Sequence, residues 1–318
     1  MSSRKMIVSG SPHIHTGDSV KRRMWSVVIA LLPAVAYSVY VFGLGALIVI
    51  LTSVLGCLLT EYVIQRYLIG GKSTISNGSA VITGLLLAMN LPSNLPVWIV
   101  LIGCVVAIGL GKYAFGGLGQ NIFNPAILGR VFLLISFPQQ MTSWPLPMVN
   151  RDVYLDATTG ATILNKLKLN EMSPADVDLT ATFMGQMGGS LGEISALALL
   201  LGGGYLLMKR IISWHIPVSI IATVAIFSMF AGINPLVSIM SGGVLLGAFF
   251  MATDYVTSPM TYNGMLLYGV MIGIITMVIR LWGAYPEGVS FAILIMNGFT
   301  PLINTYMRPR RFGERRFK

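Results

Sequence analysis

A chain of 318 residues with 55% hydrophobic and 10% charged residues has lipid as its main solvent, so a water-soluble globular domain is excluded. The net charge of +10 calls for no nucleic-acid partner, because membrane topology and anionic headgroups account for where the basic residues fall. Two cysteines cannot supply the four ligands of an iron–sulfur cluster, so any such cluster would belong to other chains or be shared with them.

In chain order, residues 1–23 form a polar N-terminal segment carrying Arg4, Lys5, Lys21, Arg22 and Arg23, with no cleavable signal peptide expected. The first helix would act as the insertion signal. Apolar runs then predict an all-α integral membrane protein of about ten spans. They lie near 25–42, 46–64, 79–91, 96–112, 124–137, 191–208, 214–231, 236–253, 264–281 and 288–306. The runs 79–91 and 124–137 are short and punctuated by Asn90, Pro92, Asn124 and Pro125. Such segments are tolerated at membrane depth where protein or a cavity covers the freed backbone groups. The expected organisation is a first five-helix unit over 24–137, a loop over 138–190, a second unit over 191–306 and a basic tail over 307–318.

An even number of spans puts both termini on one side. That side collects sixteen Lys and Arg residues, and the other collects Arg151, Lys166, Lys168 and Arg280, with Arg130 left inside a helix. The asymmetry assigns the termini, and the basic tail from Arg308, to the cytoplasm and the 138–190 loop to the outer face.

The two units resemble each other. Residues 79–96 align without gaps on 242–259, sharing Val81 with Val244, Gly84 with Gly247 and Pro96 with Pro259. Farther on, Asn121-Ile-Phe-Asn-Pro125 matches Asn297-Gly-Phe-Thr-Pro301. Five helices per unit is an odd number, so the units would have opposite orientations, an inverted repeat with a pocket between them near the midplane.

The loop carries Asp156-Ala157-Thr158-Thr159-Gly160-Ala161-Thr162, which resembles the signal used by flavin transferases to join the phosphate of FMN to a threonine. Thr162 would be the acceptor, with Asp156, Thr159, Gly160 and Ala161 completing the motif. Gly160 and Ala161 keep the peptide thin enough to enter another enzyme's active site. The same residues also read as a helix start, with Thr159 or Thr162 capping the segment 163–169.

Other polar residues carry two readings each. Asn121 and Asn124 could bind flavin edge atoms through their amides, or cap the short helix beginning at Pro125. Arg130, costly if unpaired inside a helix, should face a cavity, a flavin or an acidic partner. Asp254, followed by Thr257 and Ser258, could contact a translocated cation or form a solvated helix end. Glu61 reads most simply as an interfacial residue beside Arg66. His13 and His15 lack further ligands at metal spacing, His215 reads as interfacial, and Cys57 and Cys104 read as small hydrophobes.

Over nearly its whole length the chain resembles the D subunits of Rnf complexes, the ion-translocating ferredoxin:NAD oxidoreductases of prokaryotic membranes. The carriers are Ser11-Pro-His-Ile14, Ala30-Leu-Leu-Pro-Ala34, Gly119-Gln-Asn-Ile-Phe-Asn-Pro-Ala126, the Asp156–Thr162 run and Thr253-Asp-Tyr-Val-Thr-Ser-Pro259. The resemblance implies a urea-transporter-like fold and FMN on Thr162 through a phosphoester. It also implies electron relay coupled to Na+ or H+ movement, iron–sulfur and NAD-binding partner subunits, and a flavin transferase for maturation. The B subunit of the sodium-pumping NADH:quinone reductase is similar, carries the same kind of threonine and also holds riboflavin; its longer N-terminal region sets it apart. No dinucleotide fingerprint is present, so the chain by itself should catalyse no complete reaction. The rivals are a flavin-free solute transporter, since inverted repeats with broken helices mark solute pathways, and a cofactor-free scaffold.

Overall fold

The computed structural model describes residues 19–70, 74–149, 151–152, 154–155, 157–168, 179–185, 188–283, 285 and 287–308. Ser11–Ile14, His13, His15 and Asp156 lie outside the described residues, as does the tail beyond residue 308.

The chain is mostly helical. Helix α1 (Val20–Phe42) starts where the Ser19 side chain accepts a hydrogen bond from the Arg22 amide at 3.2 Å. Helix α2 (Leu44–Val63) runs on as a π-helical stretch, Ile64–Ile69. Helix α3 (Ser79–Met89) is half a span, and α4 (Val97–Val105) continues as a second π-helical stretch, Val106–Tyr113. Helix α5 (Pro125–Ser136) completes the first group.

Helices α9 (Ala196–Met208), α10 (His215–Phe230), α11 (Pro235–Met240), α12 (Val244–Leu246, prolonged by a π-helical Gly247–Met251), α13 (Tyr262–Trp282) and α14 (Val289–Tyr306) form the second. Between the groups lie α6 (Pro138–Met141), β1 (Trp144–Pro145), β2 (Thr159–Gly160), α7 (Ile163–Lys168) and α8 (Leu179–Met184), with β1 and β2 antiparallel.

Among the described residues four helices are long and apolar enough to cross a membrane: Val20–Phe42, Leu44–Ile69, Tyr262–Trp282 and Val289–Tyr306. Five more are apolar but shorter. Large apolar side chains such as Leu55, Leu59, Leu201 and Phe230 are exposed on the outer surface, as expected of residues that meet lipid.

Two apolar runs are divided differently from the sequence expectation. The run 236–253 breaks into α11 and α12 at Ser241-Gly242-Gly243, where both glycines adopt positive φ (67° and 69°), a conformation other residues rarely take. The run 191–208 becomes helical only at Ala196, capped by Ser195, whose hydroxyl accepts from the Ala198 amide at 3.1 Å. The residues before it serve another purpose. Gly192 N–H donates to the Met89 carbonyl (2.6 Å) and Leu191 N–H to the Leu91 carbonyl (3.1 Å). Carbonyls freed where α3 stops are thereby satisfied inside the protein, which is what permits a half-length helix at that depth.

Helix α1 packs on α9, α5 on α14, α2 on α3 and α4, and α10 on α13. The α1–α9 crossing depends on Gly202: a Cβ there would collide with the Ala30 carbonyl and stand 2.9 Å from Phe250 Cζ.

Candidate functional site

The loop threonine is folded away. Thr162 is 5% exposed, its carbonyl accepts from the Lys166 amide at 3.0 Å, and its Oγ1 accepts from the Asn165 amide at 3.3 Å. This is the capping arrangement for α7. Thr159 and Ala161 are exposed, and Gly160 pairs with Trp144 across the two-stranded ribbon. A void of about 30 Å³ adjoins Thr162, bordered by Thr182, Gly188, Glu193, Gly242 and Glu287. That is room for roughly one water, not a phosphate. In this conformation the space beside the Thr162 hydroxyl does not fit a phosphoester.

Beneath the void lies a buried charge cluster. Arg130 on α5 pairs with Glu287, which precedes α14, and donates to Ser290 Oγ. Arg130 is 3% and Glu287 6% exposed. Arg280 on α13 donates to the carbonyls of Ser238 (2.7 Å), Ser241 (2.8 Å) and Gly242 (3.3 Å), capping the end of α11. Burial, and the like charge of Glu193, push the Glu287 carboxyl above its usual range, while Arg130 and Arg280 pull it back. Arg130 Nε, Arg280 Nε and Glu287 Oε1 have no hydrogen-bond partner among the described atoms. Arg130 therefore meets an acidic partner, and it stands apart from the chain's large cavity.

That cavity, about 690 Å³, opens where α1, α3, α5 and the π-helical end of α12 converge, within the range usual for organic cofactors. Asn121, Asn124 and Asp254 all border it, brought together from two distant parts of the chain. The side chains of all three are partly engaged. Asn124 Oδ1 accepts from the amides of Ala126 (3.1 Å) and Ile127 (3.4 Å), capping α5, and its Nδ2 donates to the Met251 carbonyl at 3.1 Å. Asn121 Nδ2 donates to the Phe123 carbonyl at 3.1 Å. Asp254 is half-buried and accepts from Thr257 Oγ1 at 3.3 Å, so it is no freely solvated helix end.

The cavity wall also carries Lys112 and Ser79. Lys112 Nζ donates to Glu61 Oε2 and to Ser79 Oγ, both at 2.7 Å, and the lysine is 2% exposed. Glu61 is 0% exposed, and its other oxygen accepts from Gln65, Thr74 and Tyr113, each at 3.2 Å. The interfacial reading of Glu61 is thus replaced by a buried ion pair. Its sequence signal was present: a carboxylate within an apolar run needs a partner, and Lys112 closes another apolar run 51 residues on. Nothing in the sequence pointed to Glu193 or Glu287 as neighbours of Thr162, because their loops are joined only by the fold.

Comparison with known proteins gives a full-length match. The chain is 49% identical to the D subunit of the Na(+)-translocating ferredoxin:NAD(+) oxidoreductase complex of Acetobacterium woodii, covering 100% of this chain and 98% of that protein. It is 44% identical to the D subunit of the proton-translocating ferredoxin:NAD(+) oxidoreductase complex of Clostridium ljungdahlii, covering 97% and 96%. It is 41% identical to the D subunit of the ion-translocating oxidoreductase complex of Stutzerimonas stutzeri, covering 93% of each. With residues 7–313 matching the description "NQR2, RnfD, RnfE family", the chain belongs to that family.

Proposed function

We propose that the chain is the D-type membrane subunit of an ion-translocating ferredoxin:NAD oxidoreductase and works only within that complex, alongside iron–sulfur and NAD-binding subunits. The observation that carries this is identity of 49% and 44% across essentially the full length of two proteins so named. One of them is named for Na+ and the other for protons, so likeness in this chain selects neither ion.

The architecture we read for it is an inverted repeat of two five-helix units, urea-transporter-like, with both termini cytoplasmic and the 138–190 loop on the outer face of a prokaryotic cell membrane. Two features support the repeat. The first helices of the two units, α1 and α9, contact each other, as expected of a two-fold relation, while residues 121–125 lead into α5 and their match, residues 297–301, lies within α14. The equivalent glycines, Gly84 and Gly247, are both close-packing positions: an added Cβ would lie 2.7 Å from Val54 Cα and 2.5 Å from Val289 Cγ1 respectively.

Two flavins are proposed. FMN joined to Thr162 is supported by the Asp-x-x-Thr-Gly-Ala-Thr pattern. Since the docked loop has no room for it, attachment belongs to a conformation with α7 raised, and the unpartnered Arg130 Nε and Arg280 Nε below are donors suited to an anionic group there. A non-covalent flavin, of riboflavin type, is assigned to the 690 Å³ cavity. Its apolar lining suits a ring system, and Asn121 and Asn124 offer the few polar groups that would orient one. Bound flavin would supply one- and two-electron exchange. The chain's own part is to hold the ring at fixed reach, exclude water and set the local charge.

The test is peptide mass spectrometry on protein produced together with a flavin transferase. An FMN-sized mass increase on the Thr162 peptide, lost in Thr162→Ala, is expected. An unmodified peptide would leave Thr162 as a helix cap and bring the flavin-free solute transporter forward.

A further inference from the structure

The buried Glu61–Lys112 pair has a placement that a merely structural ion pair does not need. Lys112 sits in the wall of the 690 Å³ cavity, yet the residue is 2% exposed and its ammonium is held by Glu61 Oε2 and Ser79 Oγ, each at 2.7 Å. Two of its three N–H donors are used by these contacts, and no further hydrogen bond of the ammonium is found among the described residues. Ser79 is the first residue of α3, a helix whose cap, Gly78, provides no side chain to its amides, so the positive end of that helix faces the same wall. Glu61 is itself fixed by Gln65, Thr74 and Tyr113, so the lysine cannot swing away without stranding a fully buried carboxylate. The other charged residues on the wall are Arg23 and Asp254.

We propose that Lys112 stabilises the reduced, anionic form of the flavin in this cavity over the oxidised form, with Glu61 as the residue that positions it. This rests on the cavity-flavin reading above. The charge logic is direct. Two electrons, delivered singly by the iron–sulfur carriers of the complex, and one proton from water leave one net negative charge on a ring that was neutral. Glu61 offsets part of the lysine's charge, but Lys112 is the member of the pair on the cavity wall, so the ring would meet the positive end of the pair, which attracts the added charge and has no comparable hold on the neutral ring. A water-filled cavity with the lysine elsewhere would provide no such preference.

The experiment uses the whole complex carrying Thr162→Ala, so that the only flavin left on this chain is non-covalent. Acid-extractable flavin and its midpoint potential are compared for Lys112, Lys112→Arg, Lys112→Met and the double variant Glu61→Gln/Lys112→Met, which removes the charge without stranding Glu61. The Met variants should keep the flavin and weaken the reduced form relative to the oxidised one by at least tenfold, roughly a 30 mV fall for a two-electron couple. Lys112→Arg should stay within about threefold, or roughly 14 mV, of the parent. No flavin attributable to this chain even with Lys112 intact would sink the cavity reading itself. Flavin retained at an unchanged potential in both Met variants overturns the role given to Lys112 and leaves that reading standing. Loss of flavin from both Met variants, with Lys112→Arg retaining it, also overturns the role, because the charge would then be needed to bind the oxidised ring.

Discussion

Removing one half of the Arg130–Glu287 pair should destabilise the protein in a pH-dependent way whose size follows from the burial. Arg130 and Glu287 side chains are 4% and 7% exposed, so solvent does little to screen either charge. In Arg130→Met the carboxylate loses its partner in a dry site and escapes by taking a proton. The cost at a given pH is then at most about 1.4 kcal/mol for each unit above the ordinary glutamate value near 4.3, or at most about 3.7 kcal/mol at pH 7 and about 1 kcal/mol at pH 5, and it shrinks by whatever burial already costs Glu287 in the parent. The sign follows from proton counting. Losing Arg130, which pulls the Glu287 carboxyl down in the parent, raises its folded-state pKa further, so the folded variant binds more protons than the folded parent between these pH values, and stability relative to the parent recovers as pH falls. Replacing both partners, Arg130→Met with Glu287→Gln, should recover most of the loss at pH 7, because a buried pair adds little net stability over neutral side chains. Denaturant or thermal unfolding of purified protein in detergent, parent against variants at pH 7 and pH 5, measures all of this. Equal destabilisation by Arg130→Met at both pH values, or a double variant as unstable as the single, would refute the account.

Two further predictions concern packing and capping. Gly202→Ala places a Cβ against Ala30 O and Phe250 Cζ and should cost about 1–3 kcal/mol, whereas Gly204→Ala, with nothing within 4 Å, should be neutral or stabilising by up to about 1 kcal/mol. Fluorescence-detected size-exclusion after heating compares the two, and equal behaviour would contradict the close α1–α9 crossing. Asn124→Ala removes the α5 cap and leaves the buried Met251 carbonyl without its donor, for a combined loss of about 2 kcal/mol by unfolding in detergent; a loss under about 0.5 kcal/mol would mean that Asn124 does neither job.

Composition and the order of apolar runs determined by themselves that this is a helical membrane protein, because a chain with 55% hydrophobic and 10% charged residues, gathered in long apolar runs, must place many apolar side chains against lipid. Local patterns were equally legible. Asn124-Pro125 reads as a helix start and forms one, and the short run ending at Asn90 does stop inside the protein, whereas the break at Gly242-Gly243 inside an apolar run was not legible. Tertiary structure alone decided which charges meet. Glu61 finds Lys112 across 51 residues and Arg130 finds Glu287 across 157, pairings that no local spacing encodes because they depend on how helices cross. It also decided that Thr162, polar and in a loop, is covered. Its hydroxyl caps α7, and α7 is held down by Lys168 on the Gly283 carbonyl, a contact made by a segment more than a hundred residues away. Sequence records which groups can bond; only the fold brings two of them into a dry site where leaving either one unpaired is costly.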